Sequence, residues 1–162
     1  MKGQIGTIYK LFTNDETLLR LLYYPPKTTK QPDPLSDTLP NILEMELEER
    51  WNIIDNSIVL GSKSDDLATQ SICRLYLYAG RRRSISYNYK IARQEIIIDI
   101  FSHNSFEKDL RSMWISDRLN TLLIENRLVG ITKMDYVGGN PISSPPNYIG
   151  YRHIYEFEGL KK

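Results

Sequence analysis

Two histidines, His103 and His153, and one cysteine, Cys73, are all that 162 residues offer for imidazole or thiolate chemistry. A single thiol forms no intramolecular disulfide and no cysteine-based zinc site within one chain. His103 ends an apolar alternation just before Asn104, a junction where a polar side chain more often organises a turn than binds a metal. His153 carries less signal still. Glu95 and Asp99 share one strand face, and paired carboxylates can hold a hydrolytic metal. A metal-dependent nuclease built on them would want a lysine close by on the same strand, and Ile96, Ile97 and Ile98 fill that space instead. Cross-strand ion pairs with Arg74 and its neighbours are the plainer reading. No Walker A loop, GxGxxG turn, HExxH helix or GxSxG elbow occurs, and the glycines are too scattered to cradle a phosphate. The expectation is a protein that is not an enzyme, with no catalytic centre, metal or cofactor.

Charge is where the chain is distinctive. The total is only +1, but residues 33–66 carry nine acids against Arg50 and Lys63, a difference of −7. Residues 73–93 carry six bases and no acid. The run Arg81-Arg82-Arg83, with Tyr76, Tyr78, Tyr87 and Tyr89 nearby, suits a nucleic-acid backbone with rings stacking on bases. A dedicated nucleic-acid module is usually basic overall, so a hairpin that docks on an acidic protein surface explains the same residues. Eleven tyrosines likewise suit protein interfaces. Both stretches are solvated segments in the simplest reading. In the sharper one they are opposite sides of a head-to-tail contact between identical subunits, with Arg81, Arg82, Arg83, Tyr87, Tyr89 and Lys90 meeting Glu44, Glu46, Glu48 and Glu49.

These groups must be positioned by one domain, for which 162 residues are enough to bury a core. Residues 5–24 have near-helical apolar spacing, with capping-box residues Thr13 and Glu16 marking a break between two short helices. Five prolines make residues 25–40 an irregular arm, either a tether or a segment that orders on a neighbouring subunit. From Asn41 a helix places Leu43, Leu47, Trp51 and Ile54 inside and its glutamates outside. Alternation at residues 73–78 and 95–101 predicts two strands joined by a long hairpin at Ala79 to Ala92. Asn104 and Glu107 cap a helix whose apolar face holds Phe106, Leu110, Met113, Trp114, Leu119, Leu122 and Leu123. Residues 128–137 read as a strand, 138–146 as a loop and 148–157 as a last strand. The predicted class is α+β: N-terminal helices, then ββαββ, giving an antiparallel four-stranded sheet with helices on one face. Without a signal-peptide core or a membrane-length apolar run, the expected protein is soluble, in a reducing interior.

The order Cys73-Arg74-Leu75-Tyr76-Leu77-Tyr78, Arg93 to His103, Asp109-Leu110-Arg111 and Ile115-Ser116-Asp117-Arg118-Leu119 resembles the head–tail connection proteins of tailed bacteriophages, most of all the tail-terminator (tail-completion) group. The closing segment from Pro145-Pro146-Asn147-Tyr148 to Phe157 is similar in kind, and the likeness spans about Pro40 to Glu158. It implies a virion protein assembled in the host cytoplasm that forms a ring, typically of six subunits. Such a ring caps the tail tube protein, meets the head connector or stopper protein, and leaves a channel through which DNA passes without sequence-specific binding. The family brings no catalytic residues; it implies that the Ala79 to Ala92 hairpin and the sheet edges make subunit or partner contacts. The proline-rich arm has no counterpart in it.

Overall fold

Alternating residues at 73–78 and 95–101 do pair as strands, and the strands run well past the alternation. The computed structural model describes residues 2–62, 65–124 and 126–160, residue 65 by its backbone alone; Lys63 and the Asp65 side chain, both counted in the acidic stretch, lie outside the described residues. Two helices, α1 (Lys2–Thr13) and α2 (Glu16–Tyr23), precede a short 3-10 turn (Ile42–Glu44) and α3 (Leu47–Ser57). Then come β1 (Ile58–Leu60), β2 (Cys73–Ile85), β3 (Asn88–His103), α4 (Arg111–Leu123), β4 (Asp135–Ile142) and β5 (Tyr148–Leu160).

The sheet has five strands in the order β1-β2-β3-β5-β4. Its four longer strands are antiparallel, as expected for ββαββ. The expected four-stranded sheet is corrected by β1, which pairs in parallel with Leu75–Leu77 at one edge. Three apolar residues directly after a helix leave no alternation from which to read such a strand. Cys73, Leu75 and Leu77 on β2 and Ile96, Ile98 and Ile100 on β3 join Ile8, Phe12, Leu18, Ile54, Ile115 and Leu119 of the helices in one core. On the opposite face Tyr76, Phe101, Tyr148 and Leu67 form a smaller cluster.

The last hairpin differs from the expected boundaries. β4 occupies residues 135–142, much of the expected loop, whereas most of the expected strand is a connector that buries Val129 and Met134. Gly138, Gly139 and Pro141 are tolerated because β4 is an edge strand, where a proline forfeits no ladder bond. In the connector Gly130 has φ +74, and a Cβ there would sit 2.3 Å from the Glu158 carbonyl oxygen, so only glycine lets the chain cross β5 this closely.

The helix break at Thr13–Asn14 is present, but its cap is Asp15, whose carboxylate accepts from the Leu18 amide at 2.8 Å. The helix predicted from Asn104 changes more. Asn104 donates its amide to the Asn147 carbonyl, and Leu110 adopts a left-handed φ of +58, so α4 starts only at Arg111. Glu107 still caps it, accepting from the amide and hydroxyl of Ser112 at 2.9 and 3.0 Å. Its buried line is Arg111, Ile115, Leu119 and Leu123, while Leu110, Met113 and Trp114 face solvent. On α3 the buried residues are Ile53, Ile54 and Ser57, and Leu47 and Trp51, expected inside, are exposed.

The proline-rich arm is irregular, as expected, and is tied to its own subunit. Arg20 of α2 donates to the carbonyls of Ser36, Leu39 and Pro40, and the Tyr24 hydroxyl to that of Pro40 at 2.8 Å. Pro26 and Pro34 are buried.

Candidate functional site

The Arg81-Arg82-Arg83 run lies near the free end of a long β2–β3 hairpin whose tip is Ser86-Tyr87. A β-bulge between Ala79 and Arg82 sets Gly80 and Arg81 opposite the single residue Glu95. Glu95 and Gln94 staple it: the Glu95 carboxylate accepts from the Arg81 amide at 3.1 Å, and the Gln94 side-chain amide donates toward the Gly80 and Arg81 carbonyls. The bulge bends the strand and fixes which arginine points where. Arg83 reaches Glu95 at 2.9 Å and Glu156 at 3.4 Å, Arg93 reaches Glu158 at 3.3 Å, and the Tyr87 hydroxyl donates to Glu158 at 2.8 Å. This ladder neutralises much of the basic stretch from within. Arg82 turns to the other side and donates to the Leu160 carbonyl. Arg81, Arg82, Tyr89 and Lys90 remain exposed at the surface, with the Lys90 ammonium 5.7 Å from the Tyr89 ring centre.

Glu44, Glu46, Glu48 and Glu49 all lie in solvent on the 3-10 turn and the start of α3. Glu48 and Glu49 occupy the first turn of α3, where the helix dipole favours negative charge. The nearest base, Arg50, is directed inward to the Leu43 carbonyl and the Asn14 side chain. The two charged surfaces do not meet in one subunit. Gln4, near the start of α1, lines the same cleft as Arg82, whereas Asn14, just past its end, contacts Arg50. They therefore sit toward opposite ends of a 12-residue helix, roughly 18 Å long at about 1.5 Å per residue.

Glu95 and Asp99 do share a face, and both hold arginines. Asp99 takes Arg152 Nε at 2.7 Å and Nη2 at 2.8 Å, and the Tyr78 hydroxyl at 2.7 Å, deep in the sheet. The cross-strand partners are thus Arg83 and Arg152; the expected partner, Arg74, binds Asp66 and the Asn56 carbonyl. Burial and the hydrogen bond to Asp99 push the Tyr78 phenol well above its ordinary range. Beside this network lies a cleft of about 590 Å³ floored by Tyr76 and Phe101 and rimmed by Ser143 and Ser144. Among the described residues no three His, Cys, Asp or Glu side chains converge as a metal set.

The remaining reactive groups are engaged structurally. His103 Nδ1 accepts from the Ser105 amide, and its ring meets Tyr148 edge-on, so it organises the turn before α4. Burial pushes the Cys73 thiol up to about 12, leaving it no nucleophile at neutral pH. His153 and Ser116 are 2.8 Å apart, but Ser116 gives its proton to the Ser112 carbonyl at 2.7 Å. The imidazole must then donate from Nε2 while Nδ1 accepts from the Tyr136 hydroxyl at 3.1 Å. That proton order is the reverse of a base activating a serine.

Burial lowers the His153 pKa to about 4. Its unfolded value is about 6.5, so the unfolded chain binds a proton that the folded one refuses. This contribution is intact above about pH 6.5 and falls by about 3 kcal/mol as pH drops to 4, then levels off. Urea unfolding between pH 7 and 4 should show that loss, and His153→Gln should flatten it; an equally steep variant would assign the loss elsewhere.

Among the described residues no helix is long and apolar enough to cross a membrane. The YomW family model matches residues 15–157. The chain is also 32% identical over 169 aligned positions to the SPbeta prophage-derived protein YomW of Bacillus subtilis (strain 168), covering 98% of this chain and 96% of that one. The match runs through the arm, the bulged hairpin and α4 alike, and the chain belongs to the YomW family, whose Bacillus subtilis member is prophage-derived.

Proposed function

We propose that this protein is a structural component of a phage neck, a ring-forming tail terminator that works by binding and steric capping without catalysis. Its partners in this reading are copies of itself, the tail tube protein and the head connector, with DNA passing through the ring without sequence-specific contact. Its place is the head–tail junction of the virion. Another neck component built on the same surfaces is the alternative. The observation that carries the reading is the placement of exposed cationic and anionic surfaces toward opposite ends of α1, which lets one copy's hairpin attract the next copy's acidic face. Prophage kinship across nearly the whole chain supports the phage setting. The internal carboxylate ladder supports protein docking over a continuous nucleic-acid track, since three glutamates cancel Arg83 and Arg93.

Reversal of all three arginines would confuse two effects, because a glutamate at position 83 would face Glu95 and Glu156 and unsettle the hairpin itself. Arg81→Glu with Arg82→Glu is the informative variant. It should keep the circular dichroism of the parent and weaken self-association or tail-tube binding by about tenfold or more, roughly 1.4 kcal/mol, with reduced salt dependence. Sedimentation velocity across protein and salt concentration reads this; parental assembly size and tube binding would remove the hairpin from the interface.

A further inference from the structure

We propose that the exposed Leu47–Trp51 ridge of α3 is the socket into which the β2–β3 hairpin of a second copy docks, making this tryptophan the anchor of a head-to-tail subunit contact. The inference rests on the ring-forming reading and names the surface that closes it. Leu47 is 67% and Trp51 41% exposed. They are four residues apart, so they stand one above the other along the helix, followed by Asp55 on the same line. α3 attaches through Ile53, Ile54 and Ser57, and Leu47 and Trp51 stand at the solvent edge of that buried stripe, outside the packed core. Two large apolar side chains are thus open to solvent along a helix that buries only Ile53, Ile54 and Ser57.

The occupant is identified by charge. Residues 42–57 carry five acids and one base, and that base, Arg50, is spent on Leu43 and Asn14 of its own chain. The ridge is thus an apolar strip inside an anionic frame, and the fitting partner is an aromatic, cationic projection. The same chain owns one. Tyr89 is 78% exposed beside Lys90, with Arg81 and Arg82 on the adjoining strand, while the Tyr87 hydroxyl is occupied by Glu158. An indole face accepts a guanidinium or ammonium, and tryptophan and arginine are the residues most enriched among interface anchors. The burial of Leu47 and Trp51 would supply affinity, and the surrounding carboxylates register. Because the ridge and the hairpin lie toward opposite ends of α1, they cannot meet within one subunit, and a contact between unlike surfaces repeats from copy to copy, closing into a ring where its rotation allows.

The test uses the full chain. Trp51→Ala should keep the circular dichroism of the folded subunit and weaken self-association by about 30-fold or more, measured by sedimentation velocity and native mass spectrometry. A second pair of variants tests the geometry. Glu44→Lys with Glu48→Lys reverses the socket, and Arg81→Glu with Arg82→Glu reverses the plug; each alone should assemble poorly. Mixed in equal amounts they should recover assembly in alternating copies, because each reversed surface meets its complement. Unimpaired self-association of Trp51→Ala, or a mixture no better than its parts, would overturn the docking. If Trp51→Ala assembled normally but no longer bound tail tubes, the ridge would belong to the tube contact, and the second-copy assignment would be wrong. Rings that form and cap tubes regardless of these changes would reject the socket and leave the neck reading intact; a wild-type chain that neither assembles nor binds tubes would reject the neck reading itself.

Discussion

Arg111→Ala should cost about 3–5 kcal/mol of folding stability, the largest loss expected from one substitution in this chain. Its guanidinium is fully buried and donates to the carbonyls of Leu21 and Tyr24 at 2.6 and 2.7 Å and to Asp109 at 2.7 Å. Those carbonyls belong to the last turn and C-cap of α2, which the helix itself leaves short of partners. Truncation would strand two carbonyls and a carboxylate beside an apolar cavity and loosen α2 from α4. At about 2–4 °C per kcal/mol for a domain of this size, the melting temperature should fall by roughly 10 °C. Calorimetry reads it directly; a shift of a degree or two would mean that water replaces the guanidinium without loss.

Asp99→Ala is the second large effect. The carboxylate is buried and satisfies Arg152 twice and Tyr78 once. Its removal leaves a cation and a hydroxyl without their acceptor in the middle of the sheet. Arg152 retains some access to water, so the loss should lie near the lower end of the buried-pair range, about 3 kcal/mol. Asp99→Asn, which keeps one acceptor, should lose less. Urea denaturation separates the three proteins. The same variants address metal chemistry: a Mg²⁺-dependent cleavage of DNA by wild type that vanished in folded Asp99→Asn would restore a catalytic role to this carboxylate.

How far the fold could be read in advance depended on the kind of signal. The two-residue period of Cys73, Leu75 and Leu77 and of Ile96, Ile98 and Ile100 was legible although both faces are covered, because only the helix-facing positions are uniformly apolar and a one-residue slip would turn Arg74 and Asp99 into that core. The helix break before Asp15 was legible from polar residues between two apolar repeats. β1 was not, since three residues carry no period. β4 was hidden by Gly138, Gly139 and Pro141, which read as loop everywhere except at a sheet edge. One burial assignment inverted: Trp51, expected inside because it is apolar, lies in solvent, while Arg111, whose burial no apolar pattern announces, sits in the core. The pairing of Arg83 with Glu95 needs the bulge at Gly80 and Arg81, a one-residue shift that composition does not announce. The charge segregation itself was fully legible; its division into an internally neutralised ladder and an exposed remainder was not.

Electron microscopy of the purified protein, alone and mixed with tail tubes, tests the proposed assembly most directly. The expected result is closed rings with a hole wide enough for DNA, found as caps at the ends of tubes. A strict monomer at all concentrations, with tube ends left bare, would contradict the account.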